Sequence, residues 1–407
     1  MIAGRNYQVY PVTVLVLMVS VLGVGRMAAQ AVTSTTNVSQ ASERKALASR
    51  IDAPPVIDGI LREGVWADGV EITGFTQREP FTGEVASERT EIKVLFDDGA
   101  IYVGVWAFDG DANAIIPGDR IRDTELSNSD AVVLAFDTYD DEQNAFVFAT
   151  TPSGIEYDGQ VSNEGRGGGY FLGGGFGGGR QQSGAGGGFN KNWDGSWNVA
   201  TSRDESGWYA EFRIPFNTLR FGSNDTWGFN VARQIRRRNE ESFWAPIPRE
   251  FNLYRLNYAG ELAGLELPFR RLASLTPYTL TSTSRNYAAG DNEFDEQFEL
   301  GGEAKVQLTQ SLTLDATYNT DFAQVEVDDQ QVNLTRFSLL FPEKRPFFLE
   351  NAGFFAVGGS GADLFFSRRI GLSESGGQVP IVGGGRLSGK IGANTNVGFL
   401  NMQTESI

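Results

Sequence analysis

Hydrophobic and polar residues alternate along two stretches in the last third of the chain. In residues 298–308, apart from Gly301 and Gly302, and again in residues 312–319, every second side chain is apolar and the others are polar. Successive side chains of a strand point to opposite faces, so each stretch predicts one apolar and one polar face. Strands of about ten residues with this pattern and short turns are typical of a transmembrane antiparallel β-barrel. A soluble sheet with one wet face is the alternative.

Further segments complete the set of about six C-terminal strand candidates: residues 275–285, 363–370, 381–391 and 396–404. The smallest bacterial barrels have about eight strands, and lipid does not tolerate an open sheet edge. We therefore predict that residues 272–407 form the N-terminal part of an outer-membrane β-barrel that is truncated here, the front portion of a longer protein.

Residues 51–266 contain many shorter apolar runs, spaced by roughly 8 to 15 residues and separated by turn signals, which is typical of a β-sandwich. Asp98-Gly99 separates two of these runs and predicts a β-hairpin. The predicted fold class is all-β, with an N-terminal jelly-roll-like β-sandwich followed by a partial transmembrane antiparallel β-barrel. More than half of residues 165–188 are glycine, which predicts a mobile loop because ordering glycine costs the most entropy.

The N-terminal residues show the order of features that is typical of an export signal. Arg5 precedes an apolar run of about 14 residues, and Ala29-Gln30-Ala31 provides a small-x-small cleavage site. The run is short for a membrane span, which needs about 20 residues. These features predict a signal peptide at residues 1–31, with an uncleaved anchor as the alternative. Residues 32–50 are polar and show no periodic pattern of hydrophobic residues, which predicts a flexible leader.

Composition and charge exclude several function classes. The chain has 34 basic and 51 acidic side chains and a net charge of −17, which would repel nucleic acid. It has no histidine and no cysteine, so Ser-His-Asp and Cys-His catalysis, most zinc sites and disulfides are excluded. The missing cysteine fits export, because the periplasm oxidises free thiols. Any catalysis would use carboxylates, Lys, Tyr, Ser or a hard cation.

Two tryptophans are candidate ligand-binding residues. Trp193 and Trp197 border the glycine-rich loop, and aromatic faces at a mobile loop are suited to binding a ligand. Core packing is the alternative for both.

Turn aspartates offer the only candidate ligands for a metal, since no cofactor motif is present. The candidates for calcium are Asp109 with Asp111, or Asp137 with Asp140 and Asp141. The alternative is that these carboxylates are hydrated or cap the backbone.

The stretch FPEKRPFF, residues 341–348, combines aromatics, prolines and charges. Proline cannot donate in a strand ladder, so we predict that regular strand pairing stops here and that the segment folds inward. Glu343, Lys344 and Arg345 then form a constriction or anchoring network, because charges facing lipid are costly. The candidate partners of Arg345 are Glu303, Asp315 and Glu350. A solvated periplasmic turn is the alternative.

Several motifs resemble known families. PPVIDGILREGVWADG (residues 54–69), ASERTEIKVLFDDGAIYVGVWAFDGD (residues 86–111) and GWYAEFRIPFNTLRF (residues 207–221) resemble the carbohydrate-binding module family 9-like domain. TYNTDFAQVEVDDQQVNLTRFSLLFPEKRPFFLENAGFF (residues 317–355) is similar to an uncharacterised outer-membrane β-barrel family that commonly follows it. The resemblance implies an exported protein of the outer membrane, with a periplasmic or surface-exposed sandwich.

The same resemblance implies binding of a polysaccharide or oligosaccharide between two aromatic side chains. One would lie just before DAVVLAFDT, where this chain has ELSNS and no aromatic; the other would lie in the loop before the last strand, at Phe251 or Tyr254. The resulting hypothesis is a carbohydrate-binding protein, in contact with outer-membrane lipid, that serves polysaccharide capture and catabolism. The alternatives are a glycoside hydrolase acting on O-glycosyl bonds through a carboxylate pair, and a transporter or structural barrel with a docking sandwich.

Overall fold

The fold is all-β in the part of the chain that the computed structural model describes. These residues are 44–62, 64–162, 164, 188–222, 224–267, 273–284, 295–320, 343, 345–355, 358–359, 362–363, 365–373, 379–392 and 395–405. They fall into two compact units, one ending at residue 267 and one starting at residue 273. Among the described residues, no helix has both the length and the apolar character needed to span a membrane.

The first unit consists of two β-sheets. Its strands are β1 (Lys45–Leu47), β2 (Ser49–Arg50), β3 (Thr76–Glu79), β4 (Thr90–Phe96), β5 (Ala100–Phe108), β6 (Ala131–Asp137), β7 (Ala145–Thr150), β8 (Tyr157–Ser162), β9 (Gly188–Asn190), β10 (Asn198–Asp204), β11 (Gly207–Pro215), β12 (Trp227–Ile235), β13 (Glu240–Phe243) and β14 (Gly260–Ala263). The large sheet has the order β1-β14-β12-β6-β7-β8-β9. In addition, β13 pairs with β12, and β3 pairs with β13. The small sheet has the order β10-β11-β5-β4-β2.

The two sheets pack face to face over one hydrophobic core. Val132 and Phe136 of the large sheet belong to the same buried cluster as Val103 and Phe212 of the small sheet. The other face of the central strands is covered as well, which is why β6 and β7 are buried along their whole length. The predicted β-sandwich is confirmed for this unit, and so is the hairpin, since β4 and β5 pair antiparallel on either side of Asp98-Gly99.

Residues 51–70 cover the outer face of the small sheet, and a buried carboxylate holds them there. Glu211, fully buried in β11, accepts hydrogen bonds from the backbone N–H groups of Asp58 (3.0 Å) and Gly59 (2.7 Å) and from Nε1 of Trp66 (3.0 Å). A Cβ added at Gly104 would lie 2.8 Å from the Trp66 ring, so this glycine lets the indole lie against the sheet. The first of the motifs that carry the family resemblance, at residues 54–69, therefore serves to cover the small sheet.

The predicted flexible leader at residues 32–50 extends too far, because residues 45–50 form strands. β1 pairs in parallel with β14, and β2 pairs in parallel with β4, so one short segment joins both sheets. Ala46 and Ala48 are buried in the core between the sheets. Small alanines among polar residues give little hydrophobic signal, yet backbone pairing and burial order this segment.

The second unit is built on one antiparallel sheet, here called the C-terminal sheet. Its strands are β15 (Ala273–Ser284), β16 (Asp295–Gln307), β17 (Leu312–Thr320), β20 (Ile381–Ile391) and β21 (Thr395–Thr404), paired in that order, while β18 (Gly358–Gly359) and β19 (Ala362–Asp363) pair separately. A one-turn helix, α1 (Pro346–Leu349), begins at a proline, whose fixed φ suits a first helical position.

The predicted strand at residues 363–370 is wrong over most of its length. Residues Ser367–Arg369 form a 3₁₀ helix, because the backbone carbonyls of Ser367 and Ile370 turn toward Arg345 and accept its hydrogen bonds, both at 2.7 Å. Apolar residues in a short run cannot distinguish a strand from this kind of turn.

In the C-terminal sheet, the face that carries the polar residues of β16, β17 and β20 is largely buried, together with Leu400 and Met402 of β21, and the opposite, apolar face is exposed. Leu275, Phe298 and Tyr318 are 76%, 65% and 67% exposed, whereas Asp315 and Arg386 are 3% and 1% exposed. This distribution is the reverse of that in the sandwich. The alternation predicted from the sequence is confirmed, and the membrane location of these strands stays a prediction.

Three predictions lie wholly or largely outside the described residues. They concern the signal peptide at 1–31, the glycine-rich loop at 165–188, of which only residue 188 is described, and Lys344.

Replacing Glu211 by alanine is expected to lower the free energy of unfolding of the sandwich by about 2 kcal/mol or more, because three donors lose a charged acceptor. All 7 tryptophans lie before residue 268, so tryptophan fluorescence during urea unfolding reports on this unit alone. Glu205→Ala, at an exposed position in the turn between β10 and β11, is the matched control. Equal midpoints for the two variants would contradict the assigned role of Glu211.

Candidate functional site

The outer face of the large sheet carries a second hydrophobic cluster. Small side chains of β6, β7 and β12 form its floor: Ala131, Val133, Ala135, Ala145, Val147, Ala149 and Ala232. Residues 247–258, here called the covering loop, place Ile247, Leu253 and Leu256 on this floor. Because the floor is made of small residues, the covering loop lies close to the sheet and brings its aromatic residues to one edge.

Three aromatic rings, here called the aromatic stack, lie nearly parallel at this edge. Phe189 of β9 lies 6.1 Å from Tyr157 of β8 at an interplanar angle of 14°, and 4.5 Å from Tyr254 of the covering loop at 10°. A Cβ added at Gly159 would meet the Phe189 ring at 2.5 Å, so the glycine makes room for the ring on the sheet. Phe189 and Tyr254 are partly exposed, while Tyr157 is buried.

A second aromatic pair follows along the covering loop. The ring of Phe251 lies 5.6 Å from that of Tyr258 at an angle of 30°. The guanidinium of Arg255 lies 4.8 Å from the centre of the Phe251 ring and donates to Oε2 of Glu164 at 3.2 Å. Stacked aromatics beside planar charged groups supply both an apolar surface and directional hydrogen bonds.

A buried ion pair fixes the covering loop to the sheet. Nη1 of Arg78 in β3 donates to the backbone carbonyl of Phe251 at 2.7 Å, and its guanidinium pairs with Glu241 of β13. The side chains of Arg78 and Glu241 are only 8% and 7% exposed. Burial raises the pKa of Glu241 to about 7, although Arg78 opposes that shift. The carboxyl therefore changes protonation near neutral pH.

The hydroxyls of the two tyrosines of the aromatic stack interact electrostatically. Burial raises the pKa of Tyr157 well above its ordinary value, and the charges of Tyr254 and Glu125 add to that shift. Burial likewise raises the pKa of Tyr254. Both hydroxyls thus stay protonated and can donate at neutral pH.

A charged cluster adjoins the aromatic stack through Asp123 and β8. Arg122 donates to Glu156 at 2.7 Å and to Asp158 at 2.6 Å, and it also pairs with Asp194. Burial raises the pKa of Asp158 to about 6. Because one arginine holds several carboxylates, this cluster orders residues 156–158 beneath the stack.

The structure corrects the expected exposure of Trp193 and Trp197. Trp193 is 7% exposed and packs its ring 5.2 Å from Phe146, while Trp197 is 4% exposed and lies parallel to Phe212 at 5.8 Å. Their position next to a glycine-rich loop suggested a surface site, but both indoles fill the core between the sheets. Ligand binding by these two residues stays a prediction.

Phe251 and Tyr254 lie together in the covering loop and are partly exposed, as their assignment as ligand-binding residues requires. Sequence reasoning missed Tyr157, Phe189 and Arg78, which the topology brings to the same face. The usable signal was the run of small residues facing outward in β6 and β7, which indicates a closely packed cover.

The candidate calcium ligands have protein partners. Asp109 pairs with Arg237, and Asp137 accepts hydrogen bonds from the backbone N–H groups of Asp141 and Glu142. Burial raises the pKa of Asp137 well above its ordinary value, with Asp141 contributing. Across the described ranges, no group of three or more carboxylates is placed to hold a metal ion. A calcium site stays a prediction.

Glu343 and Arg345 form a two-point ion pair, with Nε to Oε1 and Nη2 to Oε2 both at 2.7 Å. The expected partners of Arg345 were therefore wrong: Asp315 pairs with Arg386, and Glu350 pairs with Lys305. A guanidinium two residues from a carboxylate can close on it locally, which sequence spacing did not reveal. The proposed constriction or anchoring role stays a prediction.

Comparison with known proteins gives one family match and several structural likenesses. Residues 268–405 match a family described as a domain of unknown function (DUF5916). No curated protein matches the sequence. A carbohydrate binding module family 9 (CBM9) from Caldicellulosiruptor kristjanssonii in complex with cellotriose is similar at a TM-score of 0.36 and 14% identity, over 54% of this chain and 93% of that chain. A second such module from that organism, in complex with glucose, has a TM-score of 0.34 and 16% identity, over 56% and 97%.

The raised pKa of Glu241 predicts a pH dependence of stability. Its pKa is about 7 in the folded protein against an ordinary 4.5, so between these values the folded state holds a proton that the unfolded state has released. The free energy of unfolding should therefore fall as pH rises from about 4.5 to 7, and Glu241→Gln should flatten this slope. Urea unfolding followed by tryptophan fluorescence across this range measures it. Exposed Glu266→Gln is the control, and an unchanged slope in Glu241→Gln would refute the assignment.

Proposed function

We propose that this protein binds saccharides at the aromatic stack and covering loop, and that its C-terminal sheet holds it in the outer membrane for polysaccharide capture and catabolism. The observation that carries the proposal is the meeting of Phe189, Tyr254 and Phe251 at one edge of the large sheet, all partly exposed. A sugar ring presents C–H groups on its faces and hydroxyls around its rim. Aromatic faces accept the former, and planar polar groups orient the latter.

Polar groups suited to sugar hydroxyls surround these rings. Tyr254 has a protonated hydroxyl, Arg255 lies over Phe251, and Glu125 lies close enough to both tyrosines to raise their pKa values. The carboxylate accepts hydrogen bonds, and the guanidinium and the hydroxyl donate them. This combination supports a neutral saccharide as the ligand class.

The exposed apolar face of the C-terminal sheet supports the membrane part of the proposal. Leu275, Phe298 and Leu300 are more than half exposed on strands of 12 and 13 residues. In water such a face would promote aggregation. In a bilayer it would contact lipid, while the buried polar face would point away from it.

Removing the ring of Tyr254 is expected to weaken saccharide binding. Tyr254→Ala should raise the dissociation constant for cello-oligosaccharides at least about fivefold, since stacked aromatic contacts contribute about 1 kcal/mol or more. Tyr254→Phe, which keeps the ring, should retain most of the affinity. Calorimetric titration of the full chain, in a detergent without a sugar headgroup, measures both.

Tyr209→Ala is the matched control for this titration, because Tyr209 is a half-buried tyrosine on the outer face of the small sheet. Equal weakening by Tyr209→Ala would show that the loss is not specific to the stack. The absence of binding by the unmodified chain to any glycan of an array would refute the proposed function.

A charge on the apolar face of the C-terminal sheet is expected to oppose membrane insertion. Leu300→Arg should destabilise the vesicle-inserted form by about 2 to 4 kcal/mol, as arginine facing lipid does near the bilayer centre. Glu299→Arg places the same side chain on the opposite face of the same strand and should cost much less. Urea unfolding of the full chain from lipid vesicles compares the two, and equal losses would contradict a lipid-facing Leu300.

A further inference from the structure

Residues 343–355, here called the plug segment, lie against the buried polar face of the C-terminal sheet. The segment contains α1 and a 3₁₀ helix at Ala352–Phe355. It buries the rings of Phe347, Phe348 and Phe355. A sheet face covered in this way differs from an ordinary hydrophobic core, because buried charged and polar contacts accompany the packing of these rings.

Arg386 of β20 is the central contact between the sheet and the plug segment. Its Nη2 donates to Oδ2 of Asp315 on β17 at 2.7 Å, and its Nη1 donates to the backbone carbonyl of Glu350 at 2.5 Å. The guanidinium also lies 5.1 Å from the centre of the Phe347 ring. With 1% exposure, this cation connects two strands to the plug segment.

Two further contacts flank this arginine. Lys305 of β16 pairs with Glu350, and these side chains are 35% and 13% exposed. Nδ2 of Asn351 donates to Oγ of Ser388, which is fully buried, at 3.1 Å. Polar and charged contacts therefore hold the plug segment to β16 and β20. At β21, a Cβ added to Gly398 would lie 3.2 Å from the Phe355 ring, so an aromatic contact holds the segment there.

Further hydrogen bonds and an ion pair stabilise the plug segment itself. Glu343 holds Arg345 at two points and accepts a hydrogen bond from Oγ of Ser367 at 2.6 Å. Arg345 lies 4.3 Å from the centre of the Phe348 ring. These bonds do not involve the sheet, so the plug segment and the Ser367–Arg369 turn keep their mutual contacts if the segment leaves the sheet.

We propose that the plug segment is a detachable closure that keeps water and small polar solutes from the polar face of the C-terminal sheet, with Arg386 as its latch. Beside buried aromatic rings, the interface contains an ion pair and hydrogen bonds that water can replace, whereas the strands are joined by continuous backbone ladders. Loss of the latch therefore frees the segment and leaves the sheet paired. The proposal goes beyond saccharide binding. It rests on the proposed membrane location in one respect, because that location determines which solutes reach the polar face.

A single cysteine reports on this closure, because the chain has none of its own. Ser388→Cys is nearly isosteric and lies directly beneath Asn351. In the full chain, a charged maleimide should label it much more slowly than a cysteine at exposed Glu205. Adding Arg386→Met should speed the labelling of residue 388 at least about tenfold, because breaking a buried ion pair shifts the opening equilibrium by that much or more. Exposed Arg369→Met is the matched control and should change nothing.

Hydrogen exchange separates detachment from unfolding of the sheet. In Arg386→Met, residues 343–355 should exchange faster while β16, β17 and β20 stay protected. If Arg386→Met does not fold, as judged by loss of heat-modifiability on gels, Lys305→Met decides, since it breaks only a partly exposed pair. Its expected effects have the same direction and are smaller.

Two results would overturn the proposal. One is labelling of Ser388→Cys alone as fast as that of the exposed cysteine. The other is exchange in which the strands lose protection together with the plug segment, which would make the segment ordinary core packing. Both measurements are made on the folded chain in micelles, so they stay informative if saccharide binding or vesicle insertion fails.

Discussion

A buried charge is costly unless hydrogen-bond or ionic partners meet it, and both units of this protein are organised around that constraint. In the sandwich, Glu211 meets three donors of the segment that covers its sheet, and Arg78 meets Glu241 and a loop carbonyl. In the second unit, Arg386 meets Asp315 and the backbone carbonyl of Glu350 in the plug segment. In each case a charged side chain on a strand determines where an irregular segment lies.

These charged contacts explain how non-repetitive segments acquire fixed positions. Residues 51–70 and the covering loop have little regular structure, so backbone ladders do not order them. A carboxylate or guanidinium with several partners supplies the missing specificity at a few points. The aromatic stack fits this arrangement, since Tyr254, which packs on Phe189, belongs to the covering loop that Arg78 holds through the carbonyl of Phe251.

Periodic features were predictable from the sequence, and contacts between distant segments were not. Alternation predicted β16 and β17 to within a few residues and the two faces they present, and the further strand candidates at residues 381–391 and 396–404 agree with β20 and β21. It did not distinguish the turn at Ser367 from a strand, because carbonyls directed at Arg345 decide that conformation. Of the candidate site, Phe251 and Tyr254 were found, while Phe189 was missed because its place depends on a glycine in a neighbouring strand.

The pairing of β1 with β14 has a mechanical consequence. The two strands run in parallel, with Lys45 opposite Glu261 and Leu47 opposite Ala263. The first strand of the sandwich is thus bonded to the last one, from which the chain continues toward the second unit. Tension between residues 44 and 267 pulls these strands in opposite directions along their axes, so their hydrogen bonds resist together in shear. Any force that pulls on the sandwich through both of its chain ends would load these hydrogen bonds in shear, and this pairing is arranged to resist it.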